Sequence, residues 1–323
     1  MTQEPASQGS AKPEPAGSLT LARGETALTA TYGGTELFRY VYLPDDPQLE
    51  SPRPYFHPVR TLAGDVVTLY RPHDHVWHKG IALSLPNVGT DNFWGGVTFR
   101  AGKYVQVNND GTMRHESFDT VVGSGDVIRI GERLSWVPEG AATAIIAERR
   151  RVAATAWPDA GAWCLAFETT LINVSGRPIV IGSPTTEGRP NAGYGGLFWR
   201  GPRSFTGGTV ITPGQSGGDE LMGTRWPWLA FTGRHDGNGR SSTLVFRDDP
   251  ENLRHPAQWF VRSTPFGCVC PAPFFDTEYV FADGAFLTLR YDVVIADGAL
   301  EAAGCGDLAD RAAGQDLLGE GGQ

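Results

Sequence analysis

The chain has 323 residues, 40% of them hydrophobic, with 42 Gly, 23 Pro and a net charge of −9. That acidic balance argues against a nucleic-acid surface, which needs a basic stripe, and no stretch nears the roughly 18 apolar residues of a membrane-spanning helix. Abundant Gly and Pro beside ample core material predict many short strands joined by tight turns.

Residues 1–18, with Pro5, Pro13 and Pro15, lack the basic-then-apolar order of a secretory leader and read as a disordered tail. Strand-like segments follow at Leu37–Leu43, Val66–Tyr70, Lys79–Leu85, Trp94–Arg100, Asp126–Ile130 and Ala144–Ala153. The second half adds Trp163–Asn173, Ile179–Pro184, Leu197–Arg200, Trp228–Thr232, Ser242–Phe246, Trp259–Arg262 and Ala285–Ile295. Turn signals separate them, and Asp110-Gly111 is expected to close a hairpin. Helical periodicity is confined to Leu308–Ala313, ahead of a frayed end at 316–323. The expectation is one all-β domain over 19–315, a large antiparallel β-sandwich with few short helices. Cys164, Cys268, Cys270 and Cys305 fit neither a disulfide framework nor a zinc knuckle. Cys268 and Cys270 would be buried on one strand face, and a reducing, cytoplasmic setting is expected.

The densest chemistry lies at His73-Asp74-His75-Val76-Trp77-His78-Lys79, which holds three of the chain's 7 histidines. Imidazole changes charge near neutral pH and is the commonest metal ligand. Pro72 blocks a helix, so His73 and His75 would project to one side of an extended loop, and His78 would need a turn to join them. Two chemistries fit. One is acid–base catalysis with a carboxylate partner. The other is a divalent transition-metal centre on His73, His75 and His78, although the ligating Glu that follows a cupin His-x-His has no counterpart in Val-Trp-His-Lys.

Further candidates flank this cluster. His57 and Arg60 precede it, and Trp77 and Lys79 belong to it. His115, next to Glu116, sits in a β-rich run where only one of the two can face a given pocket. Glu187, Trp199 and Arg200 lie in a Gly-, Arg- and aromatic-rich stretch whose composition suits a sugar or carboxylate pocket, and Arg262 closes the aromatic-basic run from Arg254. Glu148 and Arg150 are expected to pair on a sheet surface without chemistry.

His57-Pro-x-Arg60-Thr and Arg71-Pro-His73-Asp-His75-x-Trp77-His78-x-Gly80 resemble the family labelled "methane oxygenase PmoA", also carried as a domain of unknown function. Gly193–Arg200 and Pro256–Arg262 are similar to that family's later blocks. The resemblance implies a sugar-catabolic setting. It does not bring the membrane spans of methane-oxidising copper enzymes. A second resemblance is to the galactose-mutarotase supersandwich, through Trp77-His78-Lys79-Gly80 and through Leu171–Pro178 ending near Glu187. It implies the large sandwich and a sugar-sized concave cleft. Mutarotase activity does not carry over, because no histidine follows Pro178 before residue 235.

Together these readings predict a carbohydrate-processing enzyme without a cofactor, of epimerase, hydrolase or lyase type. One of His73, His75 or His78 would be acid/base and Glu187 its carboxylate partner. Arg60, Arg200 and Arg262 would orient the substrate's oxygens, with His57, Lys79 and His115 also at the substrate, and Trp77 or Trp199 would stack on the ring. The expected partner is a small-molecule carbohydrate, with neither nucleic acid nor membrane; the oligomeric state is open. The alternatives are a metal-dependent oxygenase or hydrolase and a non-catalytic carbohydrate-binding module.

Overall fold

Alternation with period two dominates the chain, as a pleated strand with one wet face requires. From Phe286 to Tyr291 exposed and buried side chains alternate one by one. Ala162–Phe167 is instead buried throughout, because both faces of that strand are covered. The computed structural model describes residues 17–319. Its strands form a 12-stranded sheet, a 9-stranded sheet and a 2-stranded ribbon. The smaller sheet has at its centre Phe286–Asp297, Ala162–Asn173 and Ile146–Trp157, paired antiparallel in that order. The larger runs through Thr35–Val41, Tyr55–Val59, Ile81–Val88, Gly196–Arg200, Cys268–Ala272 and Gln258–Arg262. The all-β antiparallel expectation holds.

The core fills the space between the sheets. Phe38 stacks on Trp163 at 5.8 Å, Phe93 meets Trp136 at 5.0 Å, and Trp199 meets Phe231 at 5.1 Å, each pair crossing from the larger sheet to the smaller. The one α-helix among the described residues, Ala302–Ala313, begins earlier than its periodicity indicated. Its buried Cys305, Leu308, Ala309 and Ala312 pack with Cys164, Ala166, Val294 and Ala296 on the outer face of the smaller sheet. It is not long and apolar enough to cross a membrane. All four cysteines are free and buried, as expected of small hydrophobes.

Several local expectations fail. Val66–Tyr70 makes only single bridges, Val66 to Arg60 and Tyr70 to Lys79. Within Trp94–Arg100 only Thr98–Arg100 is strand, and Asp110-Gly111 closes no hairpin but leads into the long strand Thr112–Val122. Glu148 and Arg150 pair as predicted (2.7 Å) but in the core, each 1% exposed, with Glu148 also accepting from Trp136 and Thr169. The expected tail lies outside the described residues except for Gly17 and Ser18, as do residues 320–323 of the expected frayed end. Residues 316–319 are docked: Leu317 is buried, and its carbonyl accepts from Arg129 at 2.8 Å.

Candidate functional site

Between Tyr70 and Lys79 the chain turns twice, and these turns decide which histidines meet. The His75 N–H donates to the Pro72 carbonyl (3.0 Å) and the His78 N–H to the His75 carbonyl (2.9 Å). The loop is therefore folded, not extended. His75 and His78 stack at 4.7 Å, 23° from parallel. His73 is turned outward and exposed, its Nδ1 accepting from Arg203 at 3.1 Å.

Buried charge anchors the loop. Lys79, 1% exposed, pairs with Glu50 and with Asp46 at 3.0 Å. Arg71 donates to both Glu50 oxygens (2.8 and 2.6 Å). The fully buried Arg53 donates to the carbonyls of Glu50, Ser51 and Trp77, the last at 2.6 Å. Gly96 receives the Trp77 indole: a Cβ there would lie 2.5 Å from the ring, and its φ of +73° favours glycine independently.

A cavity of about 470 Å³ opens beside the loop, on the face of the larger sheet turned away from the core. Strand alternation sets its lining. Leu197 and Trp199 enter the inter-sheet core, so Phe198 and Arg200 take the other face; Trp259 and Val261 likewise leave Phe260 and Arg262 for the cavity side. Phe198, Phe260 and Arg262 line it with Asp74, His75, Trp77 and His78. Trp94, Tyr104, Arg189, Tyr194 and Phe266 also line it.

The two imidazoles differ electrostatically. His78 is 4% exposed, and its Nδ1 accepts from Arg200 Nη1 at 3.0 Å, which places its proton on Nε2. Burial above all, then neighbouring positive charge, holds it well below the ordinary histidine range, so it stays neutral. Burial also lowers His75, against the opposing pull of Asp74. Asp74 Oδ2 lies 3.4 Å from His75 Nδ1 without an aligned hydrogen bond, and that nitrogen has no other partner among the described residues. Burial pushes the Asp74 carboxyl up, but a backbone hydrogen bond and Arg203 (2.8 Å) more than offset it and keep it ionised. Arg200 is fully buried beneath Phe266, its guanidinium 3.7 Å from the ring centroid, with Nε and Nη2 unpartnered.

Of the residues expected from sequence, the cavity gathers His75, His78, Trp77 and Arg262, with Arg200 bonded to His78 from behind. Glu187 is not among them. It is exposed and lines a separate hollow of about 170 Å³ with Asp91, Arg100 and Asn109, leaving Asp74 as the carboxylate at the imidazoles. His57 bonds Thr68 (2.9 Å) and stacks on Tyr70; burial, then Arg60, lowers it to about 4. Arg60 donates to the Gly64 carbonyl (3.2 Å) and lies 3.7 Å from Glu36. Trp199 is a core residue donating to the Val67 carbonyl (2.8 Å), and Lys79 is spent on its carboxylates. His115 belongs to the smaller sheet and pairs with Glu132 at 2.6 Å. The three-histidine ligand set does not assemble: His73 points away and His78 Nδ1 is committed to Arg200. Among the described residues no three His, Cys, Asp or Glu side chains gather to hold a metal.

The sequence reading did not assign Trp94, Tyr104, Arg189, Tyr194, Phe198, Phe260 or Phe266. Phe260 was available, because it shares a strand face with Arg262 two residues on. Phe266 lies in a loop and carries no periodic signal.

No curated protein matches the sequence. Among solved structures, a GH36 α-galactosidase of Geobacillus stearothermophilus in complex with raffinose is similar at 10% identity over 87% of this chain, with a TM-score of 0.38. The chain spans only 41% of that protein. An α-galactosidase of Lactobacillus brevis is similar at 8% identity over 87% of this chain and 40% of its own, with a TM-score of 0.35. A galactose mutarotase related enzyme of Lactobacillus acidophilus is similar at 10% identity over 87% of this chain and 100% of its own, with a TM-score of 0.33. Likeness at this level says nothing of substrate or activity. The matching family model carries no PmoA label. It covers residues 27–310, nearly the whole chain, which therefore belongs to DUF6807, a family of unknown function.

Proposed function

We propose that the chain binds a small carbohydrate in this cavity and moves a proton on it through His75, with Asp74 as carboxylate partner. The observation that carries the reading is a single cavity of about 470 Å³ where two imidazoles and a carboxylate meet a wall that includes Trp77, Trp94, Phe198 and Phe260. A pyranose presents C–H faces that pack on aromatic planes and hydroxyls that need fixed donors and acceptors. His75, unprotonated at neutral pH, can accept a proton from the sugar. Asp74 beside Nδ1 keeps a proton on that nitrogen, leaves Nε2 free and stabilises the imidazolium once formed. Their separation is 3.4 Å, and catalytic hydrogen bonds of this kind tighten with substrate bound. His78 supplies a fixed neutral donor at Nε2.

Glycoside hydrolysis commonly uses two carboxylates flanking the bond. Asp74 is the only carboxylate among the cavity-lining residues, which supports proton abstraction and return, as in epimerisation or elimination, over hydrolysis. The test is an NMR time course in deuterated water over neutral and oxidised monosaccharides. Conversion or proton exchange is expected, with His75→Asn slowing it about a hundredfold or more while ligand still binds. Binding with no turnover in the unaltered protein would mark a non-catalytic sugar-binding module. Full activity in His75→Asn would remove the acid–base assignment.

A further inference from the structure

We infer that the sugar this cavity takes is anionic, its carboxylate or phosphate held by Arg189 and Arg262; the inference rests on the carbohydrate reading above. Both guanidiniums line the cavity; among the described residues Arg189 has no ion pair and Arg262 has one long one. The carboxylate nearest Arg262 is Asp219, at 3.9 Å and without a hydrogen bond between them. Arg189 is paired with a phenol, its Nη1 donating to the Tyr104 hydroxyl and its guanidinium 4.7 Å from that ring's centroid. The chain holds 36 acidic residues against 27 basic ones, so two arginines facing a cavity with no carboxylate hydrogen-bonded to either among the described residues do not reflect a shortage of partners.

The cavity's single acid does not neutralise them, because Asp74 is already bonded to Arg203 at 2.8 Å. A second observation points the same way. Arg200, fully buried behind His78 and Phe266, forms no ion pair among the described residues and leaves Nε and Nη2 unpartnered. Asp74 is the acid that acts on this buried cation and is shared with Arg203, so a further anion in the adjoining cavity would offset more of the cost of burying it.

The two lining arginines belong to one wall. Arg262 lies over Phe260 (5.6 Å), Phe260 packs on Tyr194 (5.4 Å), and the Tyr194 hydroxyl meets that of Tyr104 (3.1 Å), on which Arg189 rests. Guanidinium donors in a planar fork match carboxylate and phosphate oxygens, whereas a neutral hydroxyl uses only one of them. The acidic end of the sugar would sit on this wall, with the reacting carbon at His75.

The experiment is calorimetric titration of the intact chain with D-glucuronate, D-gluconate and D-glucose 6-phosphate, with D-glucose and D-galactose as neutral counterparts and acetate and inorganic phosphate as bare anions. An acidic sugar is expected to bind about tenfold or more tightly than its neutral counterpart, more weakly as salt rises, because the contact is charge-assisted. The carboxylate and phosphate arms separate the two sources of charge. Arg189→Gln and Arg262→Gln should each cut that affinity about tenfold and flatten its salt dependence, with the melting temperature nearly unchanged. Neutral sugars binding as well as acidic ones, salt-independent binding, or unaffected Gln variants would overturn the inference and leave the carbohydrate reading standing. Bare anions binding as tightly as any sugar acid would instead overturn the carbohydrate reading and retain the arginine site. No binding by any probe would end both.

Discussion

His78 Nδ1 is the atom on which the site's polarity turns, because Arg200 donates to it and so directs the ring proton to Nε2. His78→Phe would keep a ring against His75 but leave Arg200 without its last side-chain partner. A hydrogen bond to a charged group contributes about 1.5–3 kcal/mol, so a drop of that size in urea-unfolding free energy is expected. His75 carries the pH dependence. It must be unprotonated to accept a proton, and burial lowers it from the ordinary 6.5. Activity should therefore rise with pH to a plateau, through an apparent pKa below 6.5. Asp74 raises His75, so Asp74→Asn should move that midpoint lower in the pH–rate profile. The histidine cluster was readable from its density in the sequence, but its pairing was not. His73 and His75 share a side only in extended chain, and the hydrogen bonds from His75 to Pro72 and from His78 to His75 cannot be read from residue types. Trp199 and Arg200 were both assigned to the substrate although neighbours on a strand face opposite ways; only the packed core decides which side is which.

At the scale of elements, the loop from Arg71 to Lys79 is positioned by side chains far from it in sequence. Arg53 holds the Trp77 carbonyl, and Gly96 leaves room for the Trp77 ring. Gly96→Ala would drive a methyl into the indole at a positive-φ position. A stability loss of about 1–3 kcal/mol is expected, read as a lower melting temperature, together with weaker binding of every cavity ligand. An unchanged melting temperature and affinity would show that Trp77 is free to move. Alternation or a continuous β-rich apolar run identified most central strands, the first in Phe286–Asp297 and the second in Ala162–Asn173. It failed at Val66–Tyr70, where β-branched residues fill a connection that bridges only at its ends. The Asp110-Gly111 signal failed because Asn92 takes the pairing, bridging to Asp110 in parallel. Turn chemistry names a bend but not the segment that will lie beside it.

Across the whole molecule, the two sheets enclose charge as well as apolar side chains. Glu148 and Arg150 lie between them, and Arg150 also donates to the Tyr40 hydroxyl at 3.0 Å. A Glu-Arg-Arg-Arg run suggests a wet surface, and only the register of its strand against Ala162–Asn173 shows that every second side chain is buried. Glu148→Ala strands the Arg150 charge and should cost about 3–5 kcal/mol in denaturant unfolding. Global stability should also depend on pH through histidines kept neutral by burial. His57 is lowered to about 4 and His78 is lowered well below its ordinary value, so between those values and 6.5 the unfolded chain binds more protons than the folded one. Their contribution is complete above 6.5 and declines as pH falls below it. The melting temperature should fall with acidification, and His57→Gln, which takes up no proton, should flatten part of the slope. A crystal structure with a converted or tightly bound sugar decides most sharply whether His75 works on it. The prediction is a sugar ring against Trp77 or Trp94 with a reacting atom about 3 Å from His75 Nε2. A sugar seated in the hollow beside Glu187, with the aromatic cavity empty at saturation, would contradict it.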